Sequence, residues 1–534
     1  MAPRRSSIRF STGLLAAAAC LAGGILVVSA APEGEPQVKG AQVPNVVAPR
    51  VGAKSIPVPV AGQSPARMTL PVMSAERLAA FEEAAARGLD YLPGQVLVKF
   101  KPGVNRAGQQ RALQALRSRP DASVLEWIGD DLALLKDTVQ PDAGILSDQL
   151  AAQPEVAYAQ PNYLMEIHAT PNDPSYSARQ WNLRAINMQR AWDIAPGGSN
   201  SVIVAVIDSG VTTVAAQNVN TFTWNGSAIV QFAMPIGLSP DFDASRFVSP
   251  RDFTISPSSP STLVVDTDSH GTHVAGTVGE NTNNNVALAG IAYNTRIMPL
   301  KACMSYWDRQ FARSAAGTPG FTTGTTTLCS SDSVVAAFRF AADNGANVIN
   351  YSAGSNSPNT AARDAIAYAI SKGVFIAISN GNDATDGNEP SYPAYYAPDF
   401  NGMMSVAATG QTNQHAIYST TNDHTEISAP GGDNSVGDVV WQASILSTDS
   451  IIGSTIFPRF DRYSERGKQG TSMASPHVAG IAALIASRGI TNPAAIEAIL
   501  RQTARDLGAT GKDVQFGHGL VQPFYALFGQ GIRR

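Results

Sequence analysis

Three short segments of the 534-residue chain carry side chains whose types and spacing could do chemistry together. In VAVIDSG, Asp208 ends an apolar run and Gly210 permits a sharp turn. Ligands of open α/β sheets sit beyond the carboxyl ends of strands, so a carboxylate there is well placed. An aspartate after a strand also serves commonly as a plain cap or turn residue. HGTHVAGTVG, residues 270–279, starts a helix of small residues with His270 at its head and His273 one turn on. A zinc-binding helix of this kind would need HExxH, and the glutamate is missing, so His273 reads as a buried structural histidine. GTSMASPHVAG, residues 470–480, opens a helix apolar almost all round, which marks it as buried. Ser472 stands at its N-terminal end, where free N–H groups and the helix dipole favour developing negative charge. Ala474 stands where a G-x-S-x-G elbow needs its last glycine, which counts against an α/β-hydrolase.

Taken singly, each segment has an ordinary structural explanation. Taken together they supply a nucleophile, a base to take its proton and an acid to orient the base. Their chain order is Asp208, His270, Ser472, which differs from the chymotrypsin and α/β-hydrolase orders. Gly381-Asn382-Asp383 follows another apolar run. The Asn382 amide can join a backbone N–H in holding an oxyanion, a contribution of about 3–4 kcal/mol to the barrier.

These residues need a rigid frame. Val202–Ile207, Ile297–Leu300, Val348–Tyr351, Val374–Ile378 and Met404–Ala407 are short apolar runs, and helical patterns such as Ser333–Asn344 and Ala361–Lys372 lie between them. Buried strands separated by helices predict a mainly parallel sheet covered on both faces, hence a three-layer α/β domain from about residue 169 to 534. Ahead of it, residues 91–168 show a strand at Gln95–Lys101, a helix over 106–118, strands at Val124–Ile128 and Leu132–Leu135, a helix near 141–152 and a strand at Val156–Tyr158. That β-α-β-β-α-β order predicts a small α+β, ferredoxin-like domain. Residues 31–90 form a Pro-rich leader.

Composition sets outer bounds. With 44% hydrophobic and 15% charged residues the chain is not wholly disordered, and a formal charge of −4 argues against a nucleic-acid partner. Arg4, Arg5 and Arg9, then an apolar run from Leu14 to Val28 and small residues to Ala30, predict a signal peptide over 1–30 and a secreted protein, extracellular or periplasmic. No stable membrane span is expected in the mature form. Cys20 leaves with the signal, so Cys303 and Cys329 meet an oxidising compartment. They bracket a Ser/Thr/Gly-rich stretch, and a disulfide pinning it is the favoured reading, two free thiols the alternative.

At this point the chain resembles a subtilase, a secreted subtilisin-like serine peptidase made with an inhibitory propeptide. The resemblance covers about residues 90 to 525 and rests on VAVIDSGV, HGTHVAGT, VINYSAGS, SNGND and GTSMASPHVAG. It implies Asp208, His270 and Ser472 as the triad and Asn382 as an oxyanion donor. Ser352-Ala353-Gly354 matches the backbone edge that pairs with extended substrate, and Ser391 is placed in the same cleft. ATPNDPSYSARQWNLRAINMQRAWDI is similar to the mature start of thermitase-type members. The small domain matches the family's propeptide, which acts as chaperone and intramolecular inhibitor, with self-processing near Glu166–Thr170. The substrates implied are proteins or peptides, and the enzyme would act as a monomer without a redox cofactor. Structural calcium is implied through Asp173 and Asn284 and the carbonyls of Val286 and Leu288, a metal-free Asn-rich turn being the alternative.

Some features depart from the family pattern. Some sixty residues separate Asp208 from His270, so an inserted loop is expected beside the cleft. Ala353 replaces the usual leucine of the substrate edge. Asp383, Asp386 and Glu389 fall near the pocket rim, either selecting basic residues or forming a solvated acidic loop. An aspartic peptidase would need a second D-[ST]-G motif in a mainly β chain. A catalytically silent binding protein and an esterase using the same serine are the other rivals.

Overall fold

A computed structural model describes residues 73–87, 89–114, 123–137, 139–164, 170–215, 217–445, 450–452 and 455–529. The signal segment, most of the leader and residues 165–169 of the expected processing stretch lie outside the described residues. Two compact units divide after Asn162.

The first unit opens with helix α1 (Ala75–Arg87), at the end of the stretch read as leader. There follow β1 (Tyr91–Phe100), α2 (Arg106–Gln114), β2 (Ser123–Trp127), β3 (Leu132–Asp137), α3 (Ala143–Ala151) and β4 (Val156–Tyr163). The sheet order is β2-β3-β1-β4, the ferredoxin-like arrangement. Alternation in β1 buries Val96, Val98 and Phe100 against Ala133, Leu135, Leu146 and Leu150. Asp142 caps α3, its carboxylate accepting from Gly144 N and Ile145 N.

The second unit begins with three short helices, α4 (Tyr176–Arg179), α5 (Trp181–Ala185) and α6 (Met188–Ile194), before β5 (Ile203–Asp208). A ribbon of β6 (Gln217–Trp224) and β7 (Ile229–Ile236) and the short strand β8 (Arg251–Asp252) fill the long gap ahead of α7 (His270–Gly279). Next come β9 (Arg296–Lys301), β10 (Cys303–Met304), α8 (Tyr306–Ala315), β11 (Leu328–Cys329), α9 (Ser331–Asp343), β12 (Val348–Tyr351), α10 (Thr360–Ser371), β13 (Phe375–Ser379), β14 (Met403–Thr409) and β15 (Ile427–Pro430). The chain then forms β16 (Val440–Ile445), a small ribbon of β17 (Ser450–Ile452) and β18 (Thr455–Phe457), β19 (Tyr463–Lys468), α11 (Thr471–Ser487), α12 (Pro493–Thr503) and α13 (Pro523–Phe528).

Seven strands form the central sheet in the order β15-β14-β13-β12-β5-β9-β8, each pair parallel. The period of two decides which side each residue serves. In β5, Val204 and Val206 face the core that includes Val274 of α7 and Val478 of α11. Ile203, Ala205 and Ile207 face the opposite core, with Val334 of α9 and Ile366 of α10. Asp208 continues the first series, so the strand delivers its carboxylate to the side that holds α7 and α11. Outside the sheet, the Cys303–Cys329 disulfide joins β10 to β11, as the export argument favoured. Among the described residues no helix is long and apolar enough to cross a membrane.

Candidate active site

His270 heads α7, and its Nδ1 lies 2.7 Å from Asp208 Oδ1. This close approach depends on Gly271, because a Cβ there would stand 2.2 Å from the Gly210 carbonyl oxygen. Asp208 is buried and also accepts from Ser209 N at 2.7 Å. Burial alone would depress the His270 pKa; the Asp208 charge and hydrogen bond override it, and the net shift is upward. Asp268 adds to that rise, whereas Lys468 opposes it.

Ser472 is the second residue of α11, after Gly470 with φ of 146°. Among the described residues the Ser472 N–H has no acceptor, as expected for the first turn of a helix. Asn382 Oδ1 accepts from Thr471 N at 2.9 Å and Thr471 Oγ1 at 3.0 Å, which leaves its Nδ2 as the free donor. A Cβ on residue 470 would sit 3.6 Å from both Asn382 Nδ2 and Ser472 N, in contact with the two groups best placed to hold an oxyanion. Ser472 Oγ donates to the Ser352 carbonyl at 3.1 Å, and among the described residues no hydrogen bond joins it to His270. In return Ser352 Oγ donates to the Ser472 carbonyl at 3.0 Å. That carbonyl is free because Pro476, one turn on, has no N–H to offer it.

Ser352, Ala353 and Gly354 leave the end of β12 beside this serine. Ser391 is buried at the same place, its Oγ only 2.2 Å from where a Gly354 Cβ would lie. Asn350 ties the floor together: its Nδ2 donates to Ser352 Oγ at 2.9 Å and its Oδ1 accepts from Ser475 Oγ at 2.8 Å. Asp383 has its pKa raised by burial, then by the charges of Asp386 and Glu389, so the three carboxylates sense one another. His273 is wholly buried, with Nε2 3.1 Å from both the Val440 and Arg466 carbonyls, and burial pushes its pKa down to about 3. His477 is likewise buried and depressed to about 4.

Residues not singled out in the sequence prove central. Asp266, fully buried, accepts from Ser209 Oγ, the backbone N–H groups of Asp268, Ser269 and Thr272, and Thr272 Oγ1. Ser209 in turn accepts from Gly271 N at 2.9 Å. One buried carboxylate thus ties the residue after Asp208 to residues on both sides of His270. Its only sequence signal is an acid four residues before the histidine.

The expected calcium residues also converge. Asp173 Oδ2 accepts from Asn283 N at 3.0 Å, and the Asn284 side chain donates to Asp241 Oδ1 at 2.8 Å. Asn283, Asn285 and Ala287 have left-handed backbones, coiling the loop tightly. Asp241, which the sequence reading passed over, is fully buried, and burial above all pushes its pKa up to about 7. Among the described residues no group of three or more His, Cys, Asp or Glu side chains could hold a metal by itself. Two buried carboxylates and the Asn284 amide thus meet in one loop cluster, oxygen groups of the kind a hard cation takes.

Comparison with known proteins gives the family. The model of the subtilase family matches residues 199–519. The chain belongs to the subtilase family. It is a subtilisin-like serine peptidase, and the model of the fervidolysin N-terminal prodomain matches residues 78–162 of this subtilase. It is 31% identical over 436 residues to a thermophilic serine proteinase of Bacillus sp. (strain AK1), covering 80% of this chain and 86% of that one. Against thermitase of Thermoactinomyces vulgaris the identity is 29%, covering 64% and 94%. Among solved structures, a protease from Pseudoalteromonas arctica PAMC 21717 aligns with 68% of this chain and 99% of its own at 27% identity and TM-score 0.49.

Proposed function

We propose that this subtilase is a secreted endopeptidase in which Ser472, His270 and Asp208 act as nucleophile, base and orienting acid. The observation that carries the assignment is the 2.7 Å contact of His270 with the buried Asp208, beside the N-terminal end of the helix bearing Ser472. With Nδ1 committed to Asp208, Nε2 is the atom left to take the serine proton. Rotation of Ser472 Oγ away from the Ser352 carbonyl brings it under His270 control as substrate docks. Ser472 Oγ then attacks the peptide carbonyl, Asn382 Nδ2 and the Ser472 N–H hold the oxyanion, and His270 passes its proton to the departing amine. Water, activated by the same histidine, releases the acyl group. Extended substrate would pair with Ser352–Gly354, with Ser391 at the pocket wall.

The prodomain would keep this zymogen silent until self-cleavage near Glu166–Thr170, and residues 1–30 would direct export. Calcium, when bound, would supply neutralisation and rigidity at the Asp173, Asp241 and Asn284 cluster, with the carbonyls of Val286 and Leu288. Expression without residues 1–30, beside Ser472→Ala, tests the reading by intact mass and fluorophosphonate labelling. The parent should lose its N-terminal part and label at Ser472, whereas the variant should do neither. If both chains remain intact and unlabelled even after trypsin trimming, the assignment fails.

A further inference from the structure

Ser269, immediately before His270, has φ of 91°, a left-handed conformation that costs a non-glycine residue and persists only where surroundings impose it. From within, Asp266 accepts the Ser269 N–H, and Ser444 Oγ donates to the Ser269 carbonyl at 2.7 Å. From the other side, the segment closed by the disulfide touches the approach to His270 at successive points. Lys301, two residues ahead of the disulfide, mediates the first of these: its Nζ donates to the Val265 carbonyl at 2.9 Å and is ion-paired with Asp308 of α8, inside the segment, at 2.7 Å. Ser305 and Thr267 share a hydroxyl contact at 2.7 Å. Thr327 Oγ1 donates to one Asp268 carboxylate oxygen, and the other oxygen accepts the His270 N–H at 3.1 Å.

The two hydroxyl anchors stand in a fixed relation to the disulfide. Ser305 lies two residues after Cys303, and Thr327 two residues before Cys329. Arg309 of α8 adds a second stitch between the limbs, donating to the carbonyls of Met304 and Thr326, each at 2.9 Å. The disulfide therefore fixes the spacing at which Ser305 and Thr327 grip residues 267 and 268. We propose that the Cys303–Cys329 segment is a positioning brace for His270, with Thr327 as its contact on Asp268, so that an intact disulfide supports turnover. This rests on His270 being the catalytic base.

Thr327→Val keeps the side-chain shape and the disulfide but removes the donor. It should slow fluorophosphonate labelling of Ser472 and lower kcat about five- to tenfold, leave KM within about twofold and leave Tm nearly unchanged. Thr327→Ser should restore the rate. Mild reduction of the wild-type disulfide should slow labelling by a similar or larger factor yet add clearly less in Thr327→Val, because the Thr327 contact is one of the two anchors the disulfide positions. Wild-type-like labelling by Thr327→Val, or effects of reduction and substitution that multiply, overturns the brace alone. A wild-type chain that fails to label at Ser472 removes the triad assignment and the brace with it.

Discussion

The heads of helices α7 and α11 deliver the two reacting side chains, yet they are built in opposite ways. At α11 the sharp turn falls on a glycine: Gly470 takes φ of 146° without strain, and distant groups, Tyr418 on Gly470 N and Asn382 on Thr471 N, fasten a shape the backbone adopts freely. At α7 a non-glycine residue, Ser269, is held left-handed by Asp266 three residues before it and by groups far away in sequence, Ser444 on its carbonyl and Thr327 on the neighbouring Asp268. A turn that falls on a glycine should tolerate loss of a distant support better than one held on a residue that resists the conformation. The difference separates mutations that should act at one helix from those that act at the other.

The largest effect is expected from Asp208→Asn, which leaves the shape intact but spoils the tautomer and charge at His270; kcat should fall about 10⁴-fold. Because Asp208 raises the His270 pKa above its ordinary value of 6.5, and the neutral imidazole is the base, the acid limb of kcat/KM should lie above pH 6.5 in the wild type. In Asp208→Asn that limb should move to lower pH, as initial-rate profiles would reveal. Gly470→Ala should cost about 10²- to 10³-fold in kcat, because it strains the turn that sets Ser472 N and puts a methyl group against both oxyanion donors. Asp266→Asn puts an amide donor among groups that themselves donate. It should reduce kcat about 10- to 100-fold with little change in KM, distinguishing misplacement of His270 from loss of binding. Ser269→Gly sharpens the contrast from the other side: relief of the left-handed strain should raise stability by about 1 kcal/mol or less, readable as a small rise in Tm.

Much of this was legible in the chain. The apolar runs located the central strands within a residue or two, since strands buried on both faces leave an uninterrupted hydrophobic signal. Asp208, Asn382 and Ser352–Gly354 were legible as candidates because they follow those runs, and His270 and Ser472 because they head small-residue helices. Asp266 and Asp241 were not, because each ties in one partner from far along the chain: Ser209 is 57 residues from Asp266, and Asn284 is 43 from Asp241. The gap between Asp208 and His270 was visible as an insertion, but not its content. The β6–β7 ribbon packs mainly through Met234 and Ile236 onto Phe460, in a small cluster with Trp307 and Phe311 beyond the sheet. Helix α1 was hidden by the Pro-rich composition just before it.

The two-residue alternation of β5 also constrains how the molecule can change length. Val204, Val206 and Asp208 share one face. Adding or deleting a single residue within the strand would carry the acid to the opposite side of the sheet, away from both reacting helices. Indels are therefore barred from this strand in ones, and lineages that grow must do so in the connections. Two long connections of this chain, between Asp208 and His270 and between Cys303 and Cys329, flank the acid and the base. Growth confined to those places would surround the reacting groups with new wall while leaving the distance between them untouched.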